Sequence, residues 1–232
     1  MAMRFNHCDQ PTYEELHAEI RDGQRWYTTP SGIEYPSVTT VLGHGPKEWL
    51  EAWRESMGEE KAAAETARCA ARGEAVHLMA ENYLNNEAEF TKQHTVENVK
   101  LFNQIKVRLN KINNIRVQEI PLFSDTLKLA GRVDVVGEYE GVLSIIDFKT
   151  SNGPKYDDMV YDYFLQSTAY SLMYQEMFGV QIDQIVIIIA VERGMAPMVF
   201  VKDRYEYIEP LAKRINTFYK ENDITLGDTN ED

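Results

Sequence analysis

Gly131-Arg132-Val133-Asp134-Val135-Val136 and Ser144-Ile145-Ile146-Asp147-Phe148-Lys149-Thr150 decide how this chain is read. Both runs are rich in Val and Ile and end in turn-forming residues, the pattern of buried strands. Asp134, Asp147 and Lys149 interrupt them, and a charge on a buried strand is costly unless it is paired or binds a metal. Residues two apart on a strand share a face, so Asp147 and Lys149 project together from a face that Leu143 and Ile145 begin as hydrophobes. Glu138-Tyr139-Glu140-Gly141 between the runs reads as a hairpin turn. Folding about it sets Asp134 opposite roughly Ile145 to Asp147. Two carboxylates and an ammonium then meet at one end of a hairpin. Carboxylate oxygens suit Mg²⁺ and Mn²⁺, and the lysine could orient or deprotonate a water or neutralise charge on a phosphate.

The flanking pattern embeds that hairpin in a mixed sheet. Ile115 to Phe123 alternates as a strand that carries Glu119, read either as an outward-facing charge, the favoured assignment, or as a third acid near the site. Asp157 to Phe178 is an aromatic-rich helix on which Gln166 and Tyr170 share a face. Ile182 to Val191 is a buried strand, Met198 to Lys202 its antiparallel partner across a turn at Arg193 to Pro197, and Asp203 to Asn222 a closing helix. Upstream, Glu59 to Asn85 is a long alanine-rich helix and Thr95 to Asn113 an amphipathic one, with Val99, Phe102, Ile105, Leu109 and Ile112 inward. His77 lies on the apolar stripe of the first. A lone His there is ordinarily structural, but Gly73 one turn earlier costs about 1 kcal/mol relative to alanine and implies access or close packing.

The N-terminal stretch is less explicit. Thr12 to Leu16 has the form of a short capped helix, Gln24 to Tyr35 of a hairpin around Pro30-Ser31-Gly32, and Pro36 to Leu42 of a short helix with Ser37 as N-cap. Ser37 and Thr39 read first as caps and second as hydroxyls that could hold a phosphate. Lys47 to Met57 is amphipathic, with Trp49, Leu50 and Trp53 on one face. The boundaries follow: residues 1–35 are an extension with a hairpin, 36–222 a single domain (36–113 helical, 114–222 the sheet core), and 223–232 an acidic tail.

Composition restricts the classes. The hydrophobic fraction of 44% is ordinary for a globular chain. No apolar run is long enough to span a bilayer, and the N-terminus does not resemble a signal peptide. Cys8 and Cys69 form no CxxC and are too few for an iron–sulfur cluster or a four-Cys zinc site. A reducing cytoplasm is expected. The net charge of −13 opposes indiscriminate binding to nucleic acid but permits a local basic groove.

Gly131-Arg132-Val133-Asp134 and Asp147-Phe148-Lys149 on adjacent strands, Arg72-Gly73-Glu74-Ala75-Val76-His77 on a preceding helix, Gln166-Ser167-Thr168-Ala169-Tyr170 on a following one, and Pro36-Ser37-Val38-Thr39 at the start resemble the PD-(D/E)xK nuclease superfamily in four motifs and their order. The likeness is to its RecB-like exonuclease branch, which includes phage-encoded exonucleases and the mitochondrial genome maintenance exonucleases, and covers roughly Tyr35 to Tyr219. It implies the α/β (α+β) restriction-endonuclease-like fold: a central mixed β-sheet flanked by helices, with a helical N-terminal part. It also implies one or two Mg²⁺ or Mn²⁺ ions held by His77, Asp134, Asp147 and the Phe148 carbonyl, no iron–sulfur cluster, Lys149 as catalytic lysine, and Gln166 and Tyr170 as positioning groups. DNA contacts would come from Ser37, Thr39, Arg72, Arg132, Thr150 and Ser151, with Arg68 and Lys155 as further sources of local positive charge. The implied activity is metal-dependent hydrolysis of phosphodiester bonds from DNA ends, single-stranded by preference. A recombination or single-strand-binding protein is an expected partner, no membrane is, and oligomeric state stays open. The rivals are an endonuclease of the same fold and, favoured by the negative charge, a non-catalytic nucleic-acid-binding or DNA-mimic protein.

Overall fold

The computed structural model describes residues 4–45, 48–194 and 196–223. In chain order it comprises β1 (His17–Arg21), β2 (Gln24–Thr28), β3 (Glu34–Pro36), α1 (Val38–Leu42), α2 (Glu48–Met57), α3 (Glu59–Leu84), α4 (Val96–Leu109), β4 (Ile112–Ser124), β5 (Leu129–Tyr139), β6 (Val142–Ser151), α5 (Tyr161–Phe178), β7 (Gln184–Val191), β8 (Met198–Asp203) and α6 (Ile208–Glu221).

β4 to β8 form one five-stranded sheet in sequence order. Its pairs are antiparallel except β6–β7, which is parallel because α5 carries the chain back across the sheet. β7 is buried on both faces: Ile185, Ile187, Ile189 and Val191 pack against α1, α5 and α6, while Val186, Ile188 and Ala190 pack against α3 and α4. Its unbroken apolar run in the sequence is the mark of a strand covered on both sides. The result is a mixed sheet between two helical layers, the architecture expected of a restriction-endonuclease-like fold.

The hairpin that decided the reading forms as expected. Glu140 (φ +52°) and Gly141 (φ +84°) make a two-residue turn in the left-handed region, the geometry that matches the twist of paired strands. Val135 pairs with Ile146 and Tyr139 with Val142.

Four expectations change. Thr12 to Leu16 is not helical. Leu16 packs with Tyr27, Tyr35 and Ala130, and the chain continues as β1, which joins β2 and β3 in a three-stranded sheet rather than leaving a lone hairpin. α4 ends at Leu109, capped at Asn110, because Ile112 pairs with Tyr139 as the first residue of β4. The α2 face does not pack as an inward stripe: no residue of α2 is buried, and Trp49 is 73% exposed. The first turn expected of α5 is a 3-10 helix, Asp157–Val160, and that expected of the last helix is another, Arg204–Glu206, where the Asp203 carboxylate accepts from the Tyr205 N–H (2.9 Å). Lys47, Met195 and tail residues 224–232 lie outside the described residues.

Gly131 has a steric duty. A Cβ there would sit 2.7 Å from Tyr170 Cε1 on α5, so β5 and the helix meet closely only because the side chain is missing. Gly131→Ala should destabilise the protein by about 1–3 kcal/mol, the usual cost of overpacking, and displace Tyr170. Thermal denaturation reads this, and an unchanged Tm would show that α5 yields freely.

Candidate active site

Three adjacent strands bring three acids into one row. Gln118 pairs with Val135 and Ile120 with Val133, so Glu119 lies across from Asp134; continuing the β5–β6 register by one residue places Asp134 across from Asp147. Strict alternation fails in β4 and in β5 at this point. Val117 and Ile120, and likewise Val133 and Val136, are three apart yet enter the same core cluster. Glu119 absorbs the irregularity with φ +50°, the kind of local kink that re-aims a side chain.

Glu119 therefore turns into the site, the reverse of the favoured sequence assignment. His77 from α3, Glu119 and Asp134 each offer one ligand atom, all within 4.8 Å of one another. His77 Nδ1 is 3.4 Å from Asp134 Oδ2, and that oxygen accepts the Phe148 N–H at 2.7 Å. Phe148 itself packs in the α3–α4 core with its ring 6.1 Å from the His77 ring. Donors about 2.1 Å from an octahedral ion stand up to about 4.2 Å apart, so a small contraction would seat one. Two carboxylates and an imidazole are oxygen and nitrogen donors that suit Mg²⁺ or Mn²⁺.

Asp147 stands behind this cluster, 1% exposed. Its Oδ2 forms an ion pair with the Lys149 ammonium, and its Oδ1 accepts from Gln166 Nε2 (3.3 Å), which also donates to Tyr170 Oη (3.1 Å). Lys149 Nζ lies 5.2 Å above the Tyr163 ring. The spacing that put Asp147 and Lys149 on one face thus meets the spacing that put Gln166 and Tyr170 on another.

Charge is compressed here. Burial, then Asp134 and Glu81, push the Glu119 carboxyl up to about 8. Burial also raises Glu81, with help from Glu87. Burial raises Asp147 although Lys149 pulls the other way. Burial opposes the Lys149 ammonium, but Asp147 and Asp134 outweigh it and hold its pKa above the ordinary value. Burial and then Asp147 keep the Tyr170 phenol neutral far beyond its usual range.

A 490 Å³ cavity opens over these groups, lined by His77, Glu119, Asp134, Lys149, Gln166 and Tyr170, with Gly73, Glu81, Arg132, Ser37 and Thr39 at its sides. Gly73 is not forced by packing, since a Cβ would make an ordinary contact 3.7 Å from Thr150 Oγ1. It leaves the approach to His77 open.

Several expected DNA contacts have other employment. Arg72 is buried, donating to Asn152 Oδ1 (2.7 Å) and Glu192 Oε2 (2.8 Å). Ser151 is buried and gives its hydroxyl to the Gly153 carbonyl (2.6 Å). Ser37 is a buried N-cap that accepts from the Thr40 N–H (3.0 Å). Arg68 is held by Glu65 and Glu192. Arg132 stays beside the cavity, but donates to the Glu119 carbonyl and to Glu15 Oε2 (2.7 Å). Thr150 lies against Arg72 Nε (3.4 Å), on an adjoining groove, and Thr39 is exposed at the cavity mouth. Arg25, which sequence reasoning passed over, lines the cavity with no partner for its guanidinium among the described residues. Nothing local distinguished it from the other arginines.

A profile of the PD-(D/E)XK nuclease superfamily matches residues 41–203, and so spans the five-stranded sheet together with His77, Glu119, Asp134, Asp147, Lys149, Gln166 and Tyr170, while Arg25, Ser37 and Thr39 precede it. The chain belongs to the PD-(D/E)XK nuclease superfamily. Mitochondrial genome maintenance exonuclease 1 of Mus musculus is 30% identical to this nuclease over 170 residues, 68% of the chain and 50% of the relative. The Homo sapiens protein of that name is 28% identical over 172 residues, 68% of the chain and 50% of the relative. The nuclease spans about half the length of the curated relatives it matches. A solved structure from Eubacterium rectale superposes with TM-score 0.44 at 12% identity over 68% of each chain. Among the described residues of the nuclease, no helix is long and apolar enough to cross a membrane.

Proposed function

We propose that this nuclease is a divalent-metal-dependent exonuclease that hydrolyses phosphodiester bonds at DNA ends. The observation that carries the reading is the row Glu119–Asp134–Asp147 with His77 at one side and Lys149 at the other: His77, Glu119, Asp134 and Lys149 line one cavity, and Asp147 lies buried behind them, paired with Lys149. The exonuclease assignment is supported by the relatives' names and by the motif order.

His77, Glu119 and Asp134 would hold the ion. Mg²⁺ or Mn²⁺ bound there would polarise a phosphoryl oxygen and acidify a water. The chain's own groups supply the rest. Lys149 brings a fixed positive charge to the cavity, where it can offset negative charge on phosphate oxygens in the transition state. Asp147 fixes the position of that ammonium, and Gln166 fixes Asp147. Tyr170 closes the other side of Gln166, so the lysine is aimed by a chain of buried contacts rather than left free in solvent. Action in DNA repair or recombination in a cytoplasm, that of a host cell if phage-encoded, belongs to the same proposal.

The test uses end-labelled linear DNA, single- and double-stranded, beside a covalently closed circle, with Mg²⁺ or Mn²⁺ and with EDTA. Loss of linear DNA alone, and only with metal, is expected. Cutting of the circle would replace the exonuclease with an endonuclease, and no hydrolysis by folded protein under any metal would leave a binding or DNA-mimic role.

A further inference from the structure

Beside the reacting centre runs a 560 Å³ groove that the assigned groups do not use, walled by Trp49 and Trp53 of α2 on one side and by Met159 and Tyr163 on the other, with Gly153-Pro154 and Lys155 along it. Trp49 and Trp53 are four apart and share a helix face. Trp49 is 73% exposed, Met159 49%, and no residue of α2 is buried. Two indoles on a surface helix that anchors nothing in the core are placed for something outside the protein. The groove borders the cavity at Tyr163, which lines the groove and whose ring lies under the ammonium of Lys149 (5.2 Å), a residue of the cavity wall. Lys155 adds a positive charge with no acidic partner among the described residues, in a chain of net charge −13 whose Arg68 and Arg72 in the same region are neutralised by carboxylates.

We propose that this groove is a base-stacking subsite: Trp49, Trp53 and Tyr163 take the bases of an unpaired DNA strand lying next to the nucleotide at the Asp147–Lys149 centre, with Lys155 on its backbone. Aromatic faces bind any unpaired base, whereas the bases of a duplex are already stacked on one another. The grip would therefore sense whether the strand is melted, not its sequence. The inference rests on the DNA-hydrolase reading above.

The full chain, held in EDTA so that no strand is cut, is titrated with a short thymidine oligonucleotide, with an abasic strand of equal length, and with a duplex. Indole emission and anisotropy of a labelled strand are followed. The thymidine strand is expected to bind at least about tenfold tighter than the abasic one, the effect of one stacked base, and to quench tryptophan emission. In the double variant Trp49→Ala, Trp53→Ala that ratio should fall toward one while affinity for the abasic strand holds. Because no residue of α2 is fully buried and Trp53 is only partly covered, the variant should keep wild-type circular dichroism. Equal affinity for thymidine and abasic strands, a ratio that survives the double substitution, or equal quenching by duplex overturns the subsite. Metal-dependent hydrolysis in the parallel assay with no base dependence removes the subsite alone, whereas neither binding nor hydrolysis of any DNA removes the underlying reading as well.

Discussion

Lys149→Met should lower DNA hydrolysis by at least about 100- to 1000-fold, the usual effect of removing one charge aimed at a transition state. Asp147→Asn should do the same, because the ammonium then loses the carboxylate that positions it. The two variants differ in stability. Asp147 is 1% exposed, and Lys149 is its counter-charge. Removing one partner of a buried pair costs about 3–5 kcal/mol when the other stays charged. In Lys149→Met the stranded carboxyl can avoid part of that cost by holding its proton, since burial already raises its pKa. For an acid whose folded pKa is raised, the folded state keeps a proton that the unfolded state has lost. Stability therefore falls as pH climbs above the unfolded carboxylate value, until the folded group also ionises. Lys149→Met should accordingly be close to wild type in Tm at mildly acidic pH and fall behind at alkaline pH. The double variant Asp147→Asn, Lys149→Met, with no charge to strand, should recover Tm at alkaline pH and remain inactive. Thermal scans at two pH values with the end-labelled assay check both halves. Full cleavage by both single variants would overturn the site assignment.

Glu119→Gln should produce a more stable and less active protein. The wild-type carboxyl is pushed up to about 8 by burial and by Asp134 and Glu81. Between the ordinary carboxylate range and that value, the metal-free fold binds a proton that the unfolded chain does not, so stability declines as pH rises through this window. Glutamine keeps the shape and removes the charge. At pH 8 and in EDTA the variant should melt higher; a relief of about 2 kcal/mol corresponds to about 4–8 °C for a chain of this size. At pH 4 the advantage should vanish. Mn²⁺ should raise the wild-type Tm with a slope that steepens toward alkaline pH, because binding must expel the Glu119 proton. The variant should lose most of that rise and at least about 100-fold in hydrolysis. An unchanged Mn²⁺ response would remove Glu119 from the ion-binding set.

Much of this arrangement was legible in the sequence because it is local. The Glu140-Gly141 turn, the parity of Asp147 and Lys149, and the four-residue spacing of Gln166 and Tyr170 are rules of one hairpin, one strand and one helix. Glu119 was misread because its strand is irregular. The three-residue gap between the hydrophobes Val117 and Ile120 was the available signal, for it breaks the two-residue period just where the acid sits. The fate of the arginines was not legible. Arg72 meets Glu192 across 120 positions of chain, and no periodicity encodes such a meeting. The strand at His17–Arg21 was hidden for a similar reason: its apolar content is slight, and it exists because β2 offers an edge.

The acids also share a dependence on counting. Glu119, Asp134 and Asp147 ride on successive hairpin arms, and the β5–β6 turn holds only Glu140 and Gly141. One residue inserted there would rotate β6 by half a period, turning Ile146 and Phe148 toward α5 and sending Asp147 and Lys149 to the opposite layer. The long crossover through α5 is under no such arithmetic, since a helix and its loops absorb a change of length. Insertions tolerated by this nuclease should therefore gather on the crossover side, while the turn at Glu140-Gly141 stays fixed in length wherever the chemistry is kept.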